Sequence, residues 1–262
     1  YFICCKIYMK ISIITVSYNS ENFIESCINS IISQSYKDIE YIIIDGSSKD
    51  NTLNIVKRYS RYVSTIISEP DKGMYDAMNK GLKIAKGEII GFLHSDDIYQ
   101  NADVLSKVVN VFKNNSSIGA CYADLIYVKK TNTSRIVRYW KSSKFISGSF
   151  SKGWCPPHPT FFVRRSVYER YGNFNLKYPI VSDVELMMRL LEVHNIQTQY
   201  LNEVWIKMRL GGLSNKNFKS ILNQNQDILR ALKSHTLTRN IVIFAIYKIL
   251  SRLKQFFQRP KS

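Results

Sequence analysis

Two rhythms of apolar residues alternate along the first hundred positions. Residues 11–16 and 41–44 are short, mostly apolar runs of the kind that fill a strand buried on both faces. Between them Phe23, Ile24, Cys27, Ile28, Ile31 and Ile32 recur at helical spacing, behind Asn19 and Ser20, which can cap a helix start. The pattern then repeats. A strand is expected over 63–67, a helix carried by Met74, Ala77, Met78, Leu82 and Ala85 and stopped by Gly87, and a fourth strand over 88–93. Strands and helices in alternation predict right-handed crossovers and an α/β fold whose mostly parallel sheet is covered by helices.

Past residue 100 the rhythm changes. A helix is expected over 104–112, strands over 120–128, 135–140 and 160–163, and a helix over 186–193 behind Ser182 and Glu185, which stand at capping-box spacing. Residues 145–159 are rich in Ser, Gly, Pro and aromatics and read as a loop over a site. The organisation expected is a leader or non-native stretch at 1–8, one domain over 9–214 with a nucleotide-binding half (9–100) and an acceptor half (101–214), and a helical tail over 215–262.

With 262 residues, 45% of them apolar, the chain can bury a substantial core, so disorder of the whole is excluded. Five cysteines without metal-type spacing predict reduced thiols, with neither disulfides nor zinc, in a cytoplasmic setting. The formal charge of +17 invites a nucleic-acid reading, but residues 205–262 hold twelve Lys or Arg against one acid, Asp227. Charge concentrated in a tail argues against a nucleic-acid surface spread over the protein and for an anionic surface facing the tail.

Ligands of parallel α/β sheets gather at the carboxyl ends of strands. Three of the four expected strands end in distinctive polar residues: Ser17-Tyr18-Asn19, Asp45-Gly46 and Ser95-Asp96-Asp97. Adjacent carboxylates at the mouth of a buried strand repel unless a cation or hydrogen-bond donors reconcile them, so the pair reads either as a divalent-metal site or as a solvated, helix-capping turn.

The stretches 13–19, 44–50, 68–81, 91–97, 157–164, 182–190 and 209–214, in that order, resemble family 2 of the inverting glycosyltransferases, which have the GT-A fold. The resemblance implies roles. Tyr18 would pack on the nucleotide base and Asp45 would accept from its imide, favouring a UDP- or dTDP-sugar. Lys72, Asp76 and Asn79 would approach the ribose and diphosphate, with Asp96 on the ribose side. Asp97 would hold Mg²⁺ or Mn²⁺, a hard ion suited to oxygen ligands, and His158, set between Pro157 and Pro159, would either join it or be structural. Asp183 would be the base that takes the acceptor's proton in a single inverting displacement. Trp154 would stack on an acceptor ring or fill the core. The processive members' Gln-x-x-Arg-Trp signature is missing, which implies one sugar per encounter.

In the tail, Ile246, Ile249, Leu250, Leu253 and Phe257 form a helical stripe with Lys248, Ser251, Arg252, Gln255 and Arg259 opposite. Residues 236–262 are therefore expected either to lie on the anionic inner leaflet of the cytoplasmic membrane, where a lipid-linked saccharide acceptor of surface-polysaccharide assembly would be found, or to pack on the domain. Two other functions stay open. Sugar nucleotidyl transfer shares a related sheet but asks for a Gly-rich basic loop after the first strand, where Tyr18 to Glu21 stand; a non-catalytic nucleotide-binding scaffold would not need Asp97 or Asp183.

Overall fold

The computed structural model describes residues 9–211, 218–237, 241–258 and 260. The expectation for 1–8 and the last three residues of the 209–214 motif lie outside the described residues. In chain order the elements are β1 (Ile11–Ser17), α1 (Ile24–Ile32), β2 (Ile39–Asp45), α2 (Thr52–Arg58), β3 (Thr65–Ser68), α3 (Met74–Ile84), β4 (Ile89–Phe92), β5 (Ile98–Tyr99) and α4 (Val104–Asn114). There follow β6 (Ala120–Lys129), β7 (Asn132–Trp140), β8 (Phe162–Arg164), α5 (Arg165–Tyr171), α6 (Ser182–Met188), β9 (Thr198–Arg209), α7 (Phe218–Ser234) and α8 (Ile241–Phe257).

All nine described strands join one sheet in the order β3-β2-β1-β4-β8-β6-β9-β5, with β7 paired to β6. The first four are parallel, as the alternating pattern predicts; β8 enters antiparallel to both β4 and β6 and joins the parallel half to the rest. Every residue of β1 is buried, because helices cover both of its faces. Ile11 and Ile13 pack with Ile24, Cys27 and Ile28 of α1 and with α4, whereas Ile14 and Val16 face Ala77, Met78 and Leu82 of α3. A Cβ at Gly81 would stand 2.5 Å from Ile14 Cγ2, so glycine there lets α3 lie close on the sheet.

Two expected helix caps are absent for one reason: the side chains are employed across the fold. Asn19 Oδ1 accepts from the Lys49 amide (2.8 Å) and Ser20 Oγ bonds Ser95 Oγ (2.8 Å), so this pair stitches together the turns after β1, β2 and β4, and α1 starts only at Ile24. Ser182 Oγ donates to the Asn175 carbonyl (3.0 Å) and Glu185 is bound by Arg189 and His235, so the capping box does not form. Beyond α6 the helix widens into one π-type turn, Arg189–Val193. The predicted strand at 160–163 shifts to β8, since Thr160 belongs to a short 3₁₀ turn, His158–Thr160.

The tail is not detached. Ile228, Ala231 and Leu232 of α7 and Phe244 of α8 are buried in the same cluster as Leu186 and Met187 of α6. No helix among the described residues is long and apolar enough to cross a membrane.

Candidate active site

Parallel register sets Ser17 beside Asp45 and Asp45 beside Ser68, so the carboxyl ends of β1, β2 and β3 lie in a row. Asp45 is fully buried, and its carboxylate is saturated. Oδ1 accepts from Ser17 Oγ (3.0 Å) and Ser48 Oγ (2.5 Å), and Oδ2 from the Ser48 amide (2.9 Å) and Ser68 Oγ (2.9 Å). Four donors on one carboxylate compensate its desolvation without a cation. Tyr18, next along from Ser17, is 63% exposed, an unusual state for a large ring and one that leaves a flat face open to stacking. A Cβ at Gly46 would stand 2.4 Å from Asp71 Oδ2 and 3.5 Å from the Tyr18 ring, so only glycine admits these neighbours. Asp71 thus stands at this corner, although nothing in its sequence setting distinguished it from a loop acid.

The loop entering α3 runs along the same edge. Lys72 is exposed, and its amide donates to Asp76 Oδ2 (3.0 Å), while the Gly73 amide donates to Asp71 Oδ1 (2.8 Å). Asp76 therefore closes the start of its own helix. Asn79 lies apart from the nucleotide role expected of it: its amide nitrogen donates to the Phe174 carbonyl (2.9 Å) and its oxygen accepts from the Phe174 amide (3.0 Å). Both ends of the side chain are used, and they clamp α3 to the segment that leads into α6.

After β4 the chain turns through His94, Ser95, Asp96 and Asp97. The two acids are exposed differently from the expectation. Asp97 is fully buried, and neither of its oxygens has a hydrogen-bond partner among the described residues. Burial, reinforced by Asp96 and opposed by Arg209, pushes its pKa up. Asp96 is half-buried. Its charge acts on His94, which Asp183 also influences, and His94 in turn acts on His158. Asp97 thus presents two unpartnered carboxylate oxygens at this turn, while Asp96 is the more exposed of the two acids. Arg209 supports the turn by donating to the Asp96 carbonyl (2.5 Å) and to Ser26 Oγ (3.1 Å), a role the sequence did not reveal.

His158 is buried among Phe92, Phe174 and His94, and its Nε2 has no partner. Burial lowers its pKa to about 4, so at neutral pH the ring is uncharged and able to give a lone pair. Asp97, with both carboxylate oxygens unpartnered, and His158, with Nε2 unpartnered, offer the carboxylate oxygen and imidazole nitrogen that suit Mn²⁺ and tolerate Mg²⁺. No group of three His, Cys, Asp or Glu among the described residues could hold a metal. The protein would supply a minority of the ligands, and a bound diphosphate would complete the shell, the usual situation for Mg²⁺.

Asp183 occupies the first turn of α6, half-buried. Tyr75, buried in the first turn of α3, donates its hydroxyl to Asp183 Oδ1 (2.7 Å) and also reaches the Ile180 carbonyl (3.2 Å). Its ring stacks on Phe174, with centroids 5.5 Å apart. Tyr75 was legible from the sequence only as a member of an amphipathic helix. Through it Asp183, 108 residues away along the chain, is brought to the edge where β3 and β4 end. Trp154 sits in an aromatic cluster with Phe145, Phe150 and Tyr122, the core-filling alternative stated for it, and part of the ring remains exposed.

Comparison with known proteins returns one consistent family. The model of "Glycosyl transferase family 2" matches residues 12–172. A "PGL/p-HBAD biosynthesis glycosyltransferase" of Mycobacterium bovis (strain BCG / Pasteur 1173P2) is 30% identical over 208 residues, which cover 78% of either chain. Among solved structures, S. aureus TarS 1-349 in complex with UDP-GlcNAc superposes with a TM-score of 0.66 at 18% identity, over 91% of this chain and 71% of that one. The mannosyltransferase PcManGT from Pyrobaculum calidifontis, in complex with GDP-Man and Mn²⁺, gives 0.64 at 18% identity, over 94% and 70%. These structural likenesses show the fold.

Proposed function

Because the chain belongs to glycosyltransferase family 2, we propose that it transfers a single sugar from a nucleoside-diphosphate donor to a saccharide acceptor, with Asp183 as the base. The observation that carries the reading is the Tyr75 hydroxyl on Asp183 Oδ1, which presents a carboxylate of α6 at the carboxyl edge of the parallel strands. With one oxygen engaged, Oδ2 is the atom left to accept the acceptor hydroxyl's proton as that oxygen attacks the anomeric carbon. One displacement inverts that carbon, and no second carboxylate is needed as a nucleophile.

The donor would lie along the strand ends. Tyr18 offers its face to the base and the Asp45 corner offers the acceptor for an imide hydrogen, with Ser68 Oγ as the donor that gives way; this favours uracil or thymine. Lys72 and the amides at the start of α3 face the diphosphate and stabilise the charge that develops on it as the sugar departs. Asp97 and His158 would hold Mg²⁺ or Mn²⁺, with Asp96 on the ribose side. The ion, when bound, neutralises charge on the leaving diphosphate. The acceptor is a lipid-linked saccharide of surface-polysaccharide assembly, which places the working protein peripherally on the inner leaflet of the cytoplasmic membrane.

Release of nucleoside diphosphate from a panel of UDP-, dTDP- and GDP-sugars, with and without EDTA, tests the proposal. Asp183→Asn is expected to bind donor with unchanged Kd and to lose transfer by about 10²–10⁴-fold, the usual worth of a positioned base. Undiminished turnover in that variant would refute the assignment, and pyrophosphate release from a nucleoside triphosphate would favour nucleotidyl transfer.

A further inference from the structure

Helix α8 meets the rest of the protein with its more polar side. A helix on a globular protein ordinarily turns its apolar stripe inward and its polar residues to water. Among the described side chains, the inward residues are Phe244, Lys248 and Gln255: Phe244 and Gln255 are buried, and Lys248 Nζ donates to Asn225 Oδ1 of α7 (2.7 Å). A Cβ at Gly153 would stand 3.0 Å from Lys248 Cβ, which shows how closely α8 lies on the loop after residues 150–152. The outward residues are Ile246 (51% exposed), Leu250 (56%), Leu253 (53%) and Phe257 (85%). They stand at i, i+4, i+7 and i+11, a single stripe about 16 Å long at 1.5 Å per residue. Tyr247, half-exposed, flanks it.

Charge decides what covers that stripe. Residues 241–262 contain Lys248, Arg252, Lys254, Arg259 and Lys261 and no acid. A second copy would bring an equally cationic helix, whereas an anionic lipid surface brings charge of the opposite sign. Shape agrees. One row of four side chains is far smaller than the roughly 800 Å² per partner of a stable protein interface, but a shallow apolar row on a helix of basic sequence is what an interfacial helix sinks into the boundary of headgroups and acyl chains.

We infer that α8 is a membrane anchor whose Ile246, Leu250, Leu253 and Phe257 insert into an anionic leaflet while its opposite side holds the catalytic domain. The inference deepens the proposed reaction with a lipid-linked acceptor and rests on it for its purpose. It also fixes an orientation. α8 packs on β7 and on the turn at 150–152, next to the aromatic cluster around Trp154. Docking the stripe therefore sets that wall about one helix diameter, roughly 10 Å, above the headgroups.

The test is co-sedimentation of the full chain with phosphatidylcholine vesicles, with and without phosphatidylglycerol, for the wild type and for Leu250→Glu/Leu253→Glu. Both substituted residues already face solvent, so thermal melting and nucleoside diphosphate release to a water-soluble acceptor are expected to stay unchanged. Binding to the phosphatidylglycerol vesicles is expected to fall by about tenfold or more. Equal binding of variant and wild type, indifference of the wild type to phosphatidylglycerol, or a wild-type dimer that the variant converts to monomer without vesicle binding would each overturn the anchor. Vesicle binding lost in the variant, in a protein that releases no nucleoside diphosphate from any donor, would uphold the anchor and remove the sugar-transfer reading.

Discussion

Two corners of one sheet edge treat their carboxylates in opposite ways. At the end of β2, Asp45 is buried and receives four hydrogen bonds. At the end of β4, Asp97 has both oxygens unpartnered, and His158, whose ring lies against His94 of the same turn, has an unpartnered Nε2. Leaving buried polar atoms unsatisfied costs stability, of the order of 1–3 kcal/mol for each group. The first corner has its hydrogen bonds satisfied within the protein; the second keeps polar atoms without partners.

That contrast is open to direct attack. The largest effect should come from Asp97→Asn, which does not lower the melting temperature but lowers transfer by about 10²–10³-fold, the scale of losing one transition-state stabiliser; steady-state kinetics across a metal titration read it. A collapse in melting temperature instead would erase the distinction between the corners. Glu185, two residues beyond Asp183, serves as a filled control: it is buried and bound by Arg189 Nε (3.0 Å) and His235 Nε2 (2.9 Å). Burial acts to raise its pKa, but the bonds from His235 and Arg189 outweigh it, and the net shift is downward. A depressed carboxylate stabilises the fold above its ordinary value of 4.5 and loses that contribution as acid takes the pH down through the folded value. Glu185→Gln should therefore destabilise by about 3 kcal/mol at pH 7, with the gap in denaturant midpoints closing on acidification below 4.5.

Smaller effects sharpen the same picture. Asp45→Asn, which replaces an acceptor for four donors by an amide, should cost about 2 kcal/mol of stability and weaken uridine nucleotides more than guanosine nucleotides in calorimetric titrations. Tyr75→Phe removes one hydrogen bond from Asp183 and should lower kcat about tenfold while donor KM stays put. Equal rises in donor KM would mark Tyr75 as part of the donor pocket rather than a positioning residue for the base.

The sequence made the parallel half of the sheet legible because β1, β2 and β4 are largely buried and therefore mostly apolar. β5, two residues long, and α5, with only Val167 and Tyr168 buried, leave no such signature. Among the site residues, Asp45, Asp96 and Asp183 stood out through the motifs around them. What stayed hidden was set by distant partners: Asn79 finds Phe174 at a separation of 95 residues and Tyr75 finds Asp183 at 108. Asp96 and Asp97 are chemically identical neighbours, so only the backbone of the turn decides which is half-buried and which is fully buried.

The clamp of Asn79 on Phe174 and the bond of Tyr75 to Asp183 issue from one helix, whose preceding loop carries Lys72. Lineages that drift toward a new sugar cannot rework residues 69–79 freely, because any tilt of α3 disturbs the hydrogen bond to Asp183 as well. Changes there should be inherited together with changes at 174–183, and a graft of the donor loop from a cousin enzyme should succeed only when both stretches travel as a pair.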